Sequence, residues 1–92
     1  MAQAPPLPPK ISDRELLSII CQLGRAATEA TIRHSINDRL GREVSSDWVR
    51  DRIAEVRSGG LAISYHHSPH GHLHVRLTAL GVARLSGVDH PV

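Results

Sequence analysis

Phenylalanine is absent from the 92-residue chain, and Trp48 and Tyr65 are its only aromatic residues apart from histidine. Modules that bind single-stranded nucleic acids stack the bases on several aromatic side chains. A chain with so few aromatic rings is poorly suited to that mode of binding. Binding to a duplex stays open, because proteins hold a duplex through its phosphates and groove edges.

Cysteine is equally scarce, since Cys21 stands alone. A single thiol excludes an internal disulfide and a zinc site built from several thiolates. The sequence also lacks an apolar run close to the ~20 residues that span a bilayer, and a charged start followed by an apolar signal core. We therefore expect a cytoplasmic protein in a reducing compartment, with no membrane partner.

The length allows one domain and excludes a large enzyme. Residues 1–10 contain four of the six prolines and are expected to form a disordered tail, before a domain at 11–87 and a frayed end at 88–92. Eleven Lys and Arg residues against nine acidic residues give a net charge of +2. This balance permits a polyanionic partner without requiring one.

Capping residues and apolar spacing predict three consecutive helices. The expected caps are Ser12, which has capping-box spacing to Glu15, then Thr28, then Ser45 or Ser46; the glycines that end the helices are Gly24, Gly41 and the pair Gly59 and Gly60. The third helix should bury Val49, Ile53 and Val56, which repeat at helical spacing. The short turn between the second and third helices is typical of a helix-turn-helix.

Alternating residues after Gly60 predict a β-hairpin, with a turn through Ser68, Pro69, His70 and Gly71. Pairing Ser68 with His72 sets the expected register. It places Tyr65 opposite Val75 and Ile63 opposite Leu77 on an apolar face, and His66 opposite His74 and Ser64 opposite Arg76 on a polar face. A short last helix should follow, with Thr78 as its cap.

This order of elements resembles the winged-helix regulators of bacteria and phages, including the MarR and PadR groups. The resemblance covers roughly residues 11–86, and its most specific pieces are Val44-Ser45-Ser46, Gly60-Leu61 and Leu77-Thr78-Ala79-Leu80-Gly81. It implies an α+β winged helix, with the third helix in the major groove of DNA and the hairpin, or wing, on the backbone or minor groove. The chain departs from MarR-like proteins in lacking their long C-terminal dimerisation helix and the Asp and Arg pair of their wing.

The third helix should present its polar face outward if its apolar stripe is buried. An arginine there can bond guanine through two hydrogen bonds, and an acidic residue can accept from cytosine. The expected DNA contacts on and before this helix are Arg42, Ser45, Ser46, Asp47 and Arg50. The alternative is a solvated helix face on which Arg and Asp pairs support only the helix itself.

Five of the seven histidines fall within residues 66–74. We expect His66, His72, His74 and Arg76 to contact phosphate or the minor groove, which would strengthen binding as the pH falls. A weaker alternative is a metal site made of His66, His72 and His74. A third alternative is a polar hairpin whose histidines only keep its edge soluble.

Apolar residues left over from a small core suggest a partner surface. The candidates are Trp48, Leu80, Val82 and Leu85. The sequence therefore predicts a small transcriptional regulator that binds duplex DNA as a homodimer, and not an enzyme, since no catalytic motif or cofactor signature is present. The alternative is a winged helix that binds another protein as an adaptor or inhibitor.

Overall fold

The computed structural model describes residues 9–66 and 71–87, which form an α+β fold. Within these ranges the elements are α1 (Asp13–Leu23), α2 (Glu29–Leu40), α3 (Ser46–Ser58), β1 (Ala62–His66), β2 (Leu73–Leu77) and α4 (Ala79–Ser86), with a single 3₁₀ turn at Gly24–Ala26. The expected tail up to residue 8, the hairpin turn at 68–70 and the C-terminal residues 88–92 lie outside the described residues.

Each helix begins at a hydroxyl side chain that accepts a hydrogen bond from a backbone N–H of the first turn. These caps are Ser12, Thr28, Ser45 and Thr78. At α2 the capping is reciprocal, because Thr31 Oγ1 also accepts from the N–H of Thr28 at 2.8 Å. The predicted helix starts are confirmed, and Ser45 rather than Ser46 caps α3.

The core lies where the apolar faces of α1, α2 and α3 meet the hairpin. Val49, Ile53 and Val56 of α3 are buried as predicted. They join buried residues of the other elements: Leu16, Leu17, Ile19, Ile20, Ile32, Ile36, Leu61, Ala62 and Val75. Because full burial of one such Leu, Ile or Val side chain contributes about 1.5–3 kcal/mol, this cluster sets the orientation of α3.

The predicted register of the hairpin is wrong by one residue. Ile63 pairs with Arg76 and Tyr65 pairs with His74, while Ala62 pairs with Leu77 and Ser64 with Val75. Because side chains alternate along a strand, a slip of one residue turns every side chain of β1 to the other face. Ala62 and Ser64 therefore face the core, and Ile63 lies on the outer face with 44% of its surface exposed.

Contacts at the base of the hairpin explain this register. The N–H of Thr78 donates to the carbonyl of Leu61 at 3.0 Å, and the hydroxyl of Thr78 donates to the carbonyl of Gly60 at 2.6 Å. On its other side β2 meets the segment before α2, since the N–H of Val75 donates to the carbonyl of Ala27 at 2.8 Å. These three hydrogen bonds fix β2 independently of the turn on which the predicted register depends.

The same junction brings α4 against the start of the hairpin. Gly81 is buried, and a Cβ atom built on it would lie 2.0 Å from the carbonyl oxygen of Leu61. No side chain fits at that distance, so the backbones of Gly81 and Leu61 approach each other only because residue 81 is glycine. The two sequence motifs at the start and end of the wing are thus in direct contact.

Arg52 ties α3 to the start of α1 and to the residue Ile11 just before it. Its side chain is only 14% exposed and donates to Asp13 at 2.7 Å and to the carbonyl of Ile11 at 3.0 Å. Burial lowers the pKa of Arg52, but the hydrogen bond to Asp13 and the charge of Glu55 outweigh it, so that the pKa is raised overall. The guanidinium is therefore charged at every working pH.

Replacement of Arg52 by methionine should reduce the free energy of unfolding by about 1.5–3 kcal/mol, because a mostly buried charged donor and its partners lose their bonds. Chemical denaturation would measure this loss. Arg57 is an exposed arginine of the same helix with a bond to Ser64, and Arg57→Met should change stability by about 0.5 kcal/mol or less. Equal effects of the two substitutions would show that the Arg52 contacts contribute little.

Candidate functional site

The turn between α2 and α3 is held by two side chains of α2. Asn37 Oδ1 accepts from the N–H of Val44 at 2.8 Å, and Arg33 Nε donates to the carbonyl of Val44 at 2.7 Å. Gly41 ends α2 in the left-handed conformation, with φ of 66°. With both backbone groups of the buried Val44 bonded, the start of α3 has a fixed position relative to α2.

The outer face of α3 is open to solvent along its first half. Asp47 and Arg50 are exposed as expected, Asp51 beside them is exposed as well, and Ala54 is half-buried. Ser45 and Ser46 are exposed at the start of the helix, and Arg42 is exposed in the turn before it. Every predicted DNA contact on this part of the chain is therefore accessible.

Arg50 does not extend freely from this face. Its Nε and Nη2 atoms donate to the two carboxylate oxygens of Glu29 at 3.3 Å each, and its Nη1 donates to Asp47 at 3.3 Å. The hydrogen bond to Glu29 is the main reason that the pKa of Arg50 is raised, and the charges of Glu29, Asp47 and Asp51 add to it. Arg50 thus presents a permanently charged guanidinium in a defined orientation.

A groove of about 610 Å³ runs between the first turns of α2, the start of α3 and the start of β2. Its walls include Thr28, Glu29, Thr31, Arg33, Ser46 and His72. Two of the predicted contacts, Ser46 and His72, are therefore brought together across it. The sequence does not predict that α2 lines this groove, because nothing in the local sequence shows which helix face lies beside the wing.

The histidines do not share one face as expected. His66 pairs with Leu73 and His74 pairs with Tyr65, so His66 and His74 point to opposite faces of the hairpin. His74 is half-buried, donates through Nδ1 to the carbonyl of Arg25 at 2.9 Å, and packs against Tyr65 with 5.5 Å between ring centroids. It helps to hold the wing against the segment before α2, while His66 and His72 are exposed.

This register separates the ligands of the weak metal candidate. A shared ion would need His66, His72 and His74 on one face, and the one-residue slip prevents that. Among residues 9–66 and 71–87 the structure contains no group of three or more His, Cys, Asp or Glu side chains that could hold a metal ion. The alternative of a metal site made of these three imidazoles is therefore wrong.

Arg76 lies apart from the groove that contains Ser46 and His72. It is exposed on the outer face of the hairpin and lines a second, mostly apolar groove of about 200 Å³ with Ile20, Cys21, Leu77 and Val82. This groove lies between α1, β2 and α4. The structure thus places Arg76 beside a predicted interface residue rather than beside α3.

The candidate interface residues divide into two pairs. Leu80 and Val82 of α4 are 45% and 48% exposed. Leu85 and Trp48 are half-buried and pack against the core. Of these four candidates, Leu80 and Val82 therefore offer the more open apolar surface, and α4 itself packs against α1 and β2.

Comparison with family models, curated proteins and solved structures finds no match to this chain. Within the part of the chain that the structure describes, none of the helices has the length and apolar character needed to cross a bilayer.

Proposed function

We propose that this protein is a winged-helix transcriptional regulator that binds double-stranded DNA sequence-specifically as a homodimer. In this proposal α3 enters the major groove, and the hairpin, as the wing, lies on the DNA backbone or minor groove. The observation that carries it is the open face of α3, on which Arg50 is exposed beside the groove walled by His72. An α-helix fits the major groove, where arginine can recognise guanine.

The way α2 holds α3 supports this proposal. Base recognition requires a helix that is fixed relative to the rest of the domain and exposed on one face. The buried stripe of α3 and the bonds of Asn37 and Arg33 to Val44 provide the first condition. The exposed positions from Ser45 to Asp51 provide the second.

The groove supplies groups that bind phosphate. Ser46 and His72 are exposed donors that line the groove, and Arg33 lines it as well. Glu29, which also lines the groove, has its carboxylate bonded to Arg50. Hydroxyl, imidazole and guanidinium groups of this kind commonly contact the DNA backbone. In this arrangement Ser46 and His72 position α3, while Arg50 and Asp47 meet the bases.

The homodimer is proposed from the exposed residues of α4. A small domain has a short footprint, and two copies related by a two-fold axis read a two-fold-symmetric site. Leu80 and Val82 offer an apolar surface for such pairing. Since α4 packs against α1 and β2, pairing there would leave the outer face of α3 accessible.

Selection from a random duplex pool, followed by gel-shift titration at two salt concentrations, tests the proposal. We expect enrichment of a two-fold-symmetric sequence and an affinity that falls steeply with salt, since phosphate contacts release counterions. Absence of a shift at low salt, or enrichment of no sequence, would contradict it.

Replacement of Arg42 by glutamine should weaken binding about equally for all duplexes. A phosphate contact carries no sequence information, so the slope of log K against log salt should fall by about 1. Salt titrations of wild type and variant would measure the slope. Arg14→Gln removes the same charge from an exposed position on α1 and should leave the slope unchanged; equal slopes for Arg42→Gln and wild type would remove Arg42 from the interface.

One observation favours a second function, which is binding of another protein as an adaptor or inhibitor. The charges of Glu29, Asp47 and Asp51 all act on Arg50, so three acidic side chains lie near this arginine on the proposed DNA-binding surface. A protein that binds only another protein should give no gel shift with duplex DNA even at low salt, whereas DNA binding should give a shift that weakens strongly as salt rises. The salt series above therefore separates the two functions.

A further inference from the structure

We infer that Glu29 is a positioning residue that holds Arg50 in the orientation required to recognise guanine, so that each half-site contains a guanine opposite Arg50. This inference rests on the proposed function, because it assigns a role within the same DNA-binding surface. It is carried by the contact between Glu29 of α2 and Arg50 of α3, which lie 21 residues apart.

The geometry of the pair leaves one edge of the guanidinium available. Glu29 takes the Nε–Nη2 edge with both carboxylate oxygens. The Nη1–Nη2 end can also donate two parallel hydrogen bonds, and apart from the Nη2 bond to Glu29 it bonds Asp47 alone among the described residues, through Nη1. The Asp47 side chain is 88% exposed, so a base edge can displace it easily.

Guanine is the base that this end fits best. Its major-groove edge carries two acceptors, O6 and N7, at the spacing of two guanidinium N–H groups. Adenine presents an acceptor beside a donor, and thymine presents one acceptor and a methyl group. An arginine held at its Nε–Nη2 edge can therefore form two hydrogen bonds with guanine and fewer with the other bases.

Glu29 is well placed for this role. It follows the cap Thr28, so its carboxylate lies in the first turn of α2, where the helix dipole favours a negative charge. Its side chain is 36% exposed, compared with 64% for Arg50 and 88% for Asp47. The more enclosed Glu29 therefore forms the fixed side of the cluster, and a long flexible arginine loses less freedom when DNA binds.

The carboxylate of Glu29 also has an opposite effect on affinity. A negative charge near phosphates repels every duplex, whatever its sequence. Its removal should therefore raise general affinity while it reduces the preference for guanine. The two effects are separated by the discrimination ratio, which is the affinity for the selected site divided by the affinity for the same site with the guanine replaced.

The experiment measures this ratio for wild type, Glu29→Gln and Glu29→Asp at one salt concentration. We expect both variants to lose about 3- to 10-fold in discrimination, since arginine–guanine pairing is no longer favoured by a preset orientation. Glu29→Asp keeps the charge but has a shorter side chain, so its loss cannot come from charge. Circular dichroism would verify that both variants are folded.

Asp51→Asn is the matched control. Asp51 contributes charge near Arg50 but is exposed on the same helix face, and its removal should raise affinity for all duplexes with discrimination unchanged. In an Arg50→Ala background, Glu29→Gln should no longer change discrimination. Such non-additivity is expected of residues that act together.

The remaining outcomes overturn the inference, and each shows whether the proposed function fails with it. If wild type binds no duplex at low salt, the proposed function fails and the role of Glu29 fails with it. If wild type binds but the selected sites lack the guanine, or Glu29→Gln and Glu29→Asp keep full discrimination, the inference is wrong while the proposed function stands.

Discussion

Replacement of Gly81 by alanine should destabilise the fold by about 2–4 kcal/mol, because the added methyl group would overlap the backbone of Leu61, the residue before β1. Its Cβ would lie 2.0 Å from the carbonyl oxygen of Leu61 and 3.0 Å from the carbonyl carbon. That oxygen also accepts the hydrogen bond from Thr78 that helps to set the hairpin register. Relief of the overlap must therefore displace α4 or the hairpin, and chemical denaturation would measure the loss.

Gly59→Ala provides the control for this prediction. Gly59 has φ of −78°, and a Cβ there would meet its nearest atom at 3.6 Å, which is an ordinary contact. We expect a change of about 0.5 kcal/mol or less, since no strain or overlap is introduced. Similar stability of Gly81→Ala and Gly59→Ala would show that α4 does not pack as closely on Leu61 as described.

Replacement of Arg50 by alanine should reduce the discrimination ratio, measured between the selected site and the same site with the guanine replaced, by about ten-fold to one-hundred-fold. The reason is that an arginine that recognises a guanine supplies most of the preference at that base pair. The fold should be retained, since Arg50 is exposed and the buried residues Val49 and Ile53 of the same helix are unchanged. Gel-shift titration of both duplexes would give the ratio.

The charge-matched comparison is Arg57→Ala. Arg57 is exposed near the end of α3 and bonds Ser64 of β1. Its loss should weaken binding to all duplexes by a similar factor, with discrimination maintained. Should the Arg50 and Arg57 variants behave alike, Arg50 would contribute only charge and α3 would not read bases through it.

Much of the helical part of the fold could be predicted from local sequence. The caps Ser12, Thr28 and Thr78 act through residues three positions away, so short spacing rules identify them. The stripe of Val49, Ile53 and Val56 was also predictable, because helical periodicity is a property of one segment.

The hairpin register could not be predicted in the same way. The turn suggested one pairing, but the bonds of Thr78 to Gly60 and Leu61 and of Val75 to Ala27 join residues distant in sequence. These tertiary bonds determine which residues of β1 face the core. For that reason the prediction that His66, His72 and His74 share one face of the hairpin is wrong, although the sequence predicts both strands.

The site was predictable in part. Helical periodicity predicts an outward face of α3 that carries Asp47 and Arg50, and the structure leaves that face open. Glu29 was missed, because its contact with Arg50 depends on how α2 crosses α3 and no local pattern marks it. A carboxylate just after a helix cap indicates a favourable helix start, but it does not indicate which residue of another helix the carboxylate contacts.

The most direct test of the central claim is an NMR titration of the ¹⁵N-labelled protein with its selected duplex at low salt. If α3 reads the major groove, the largest changes in backbone amide shifts should fall on its exposed positions, including Ser46 and Arg50, and on His72 across the groove. Changes confined to α4 or to the outer face around Ile63, or no changes at all, would contradict this account.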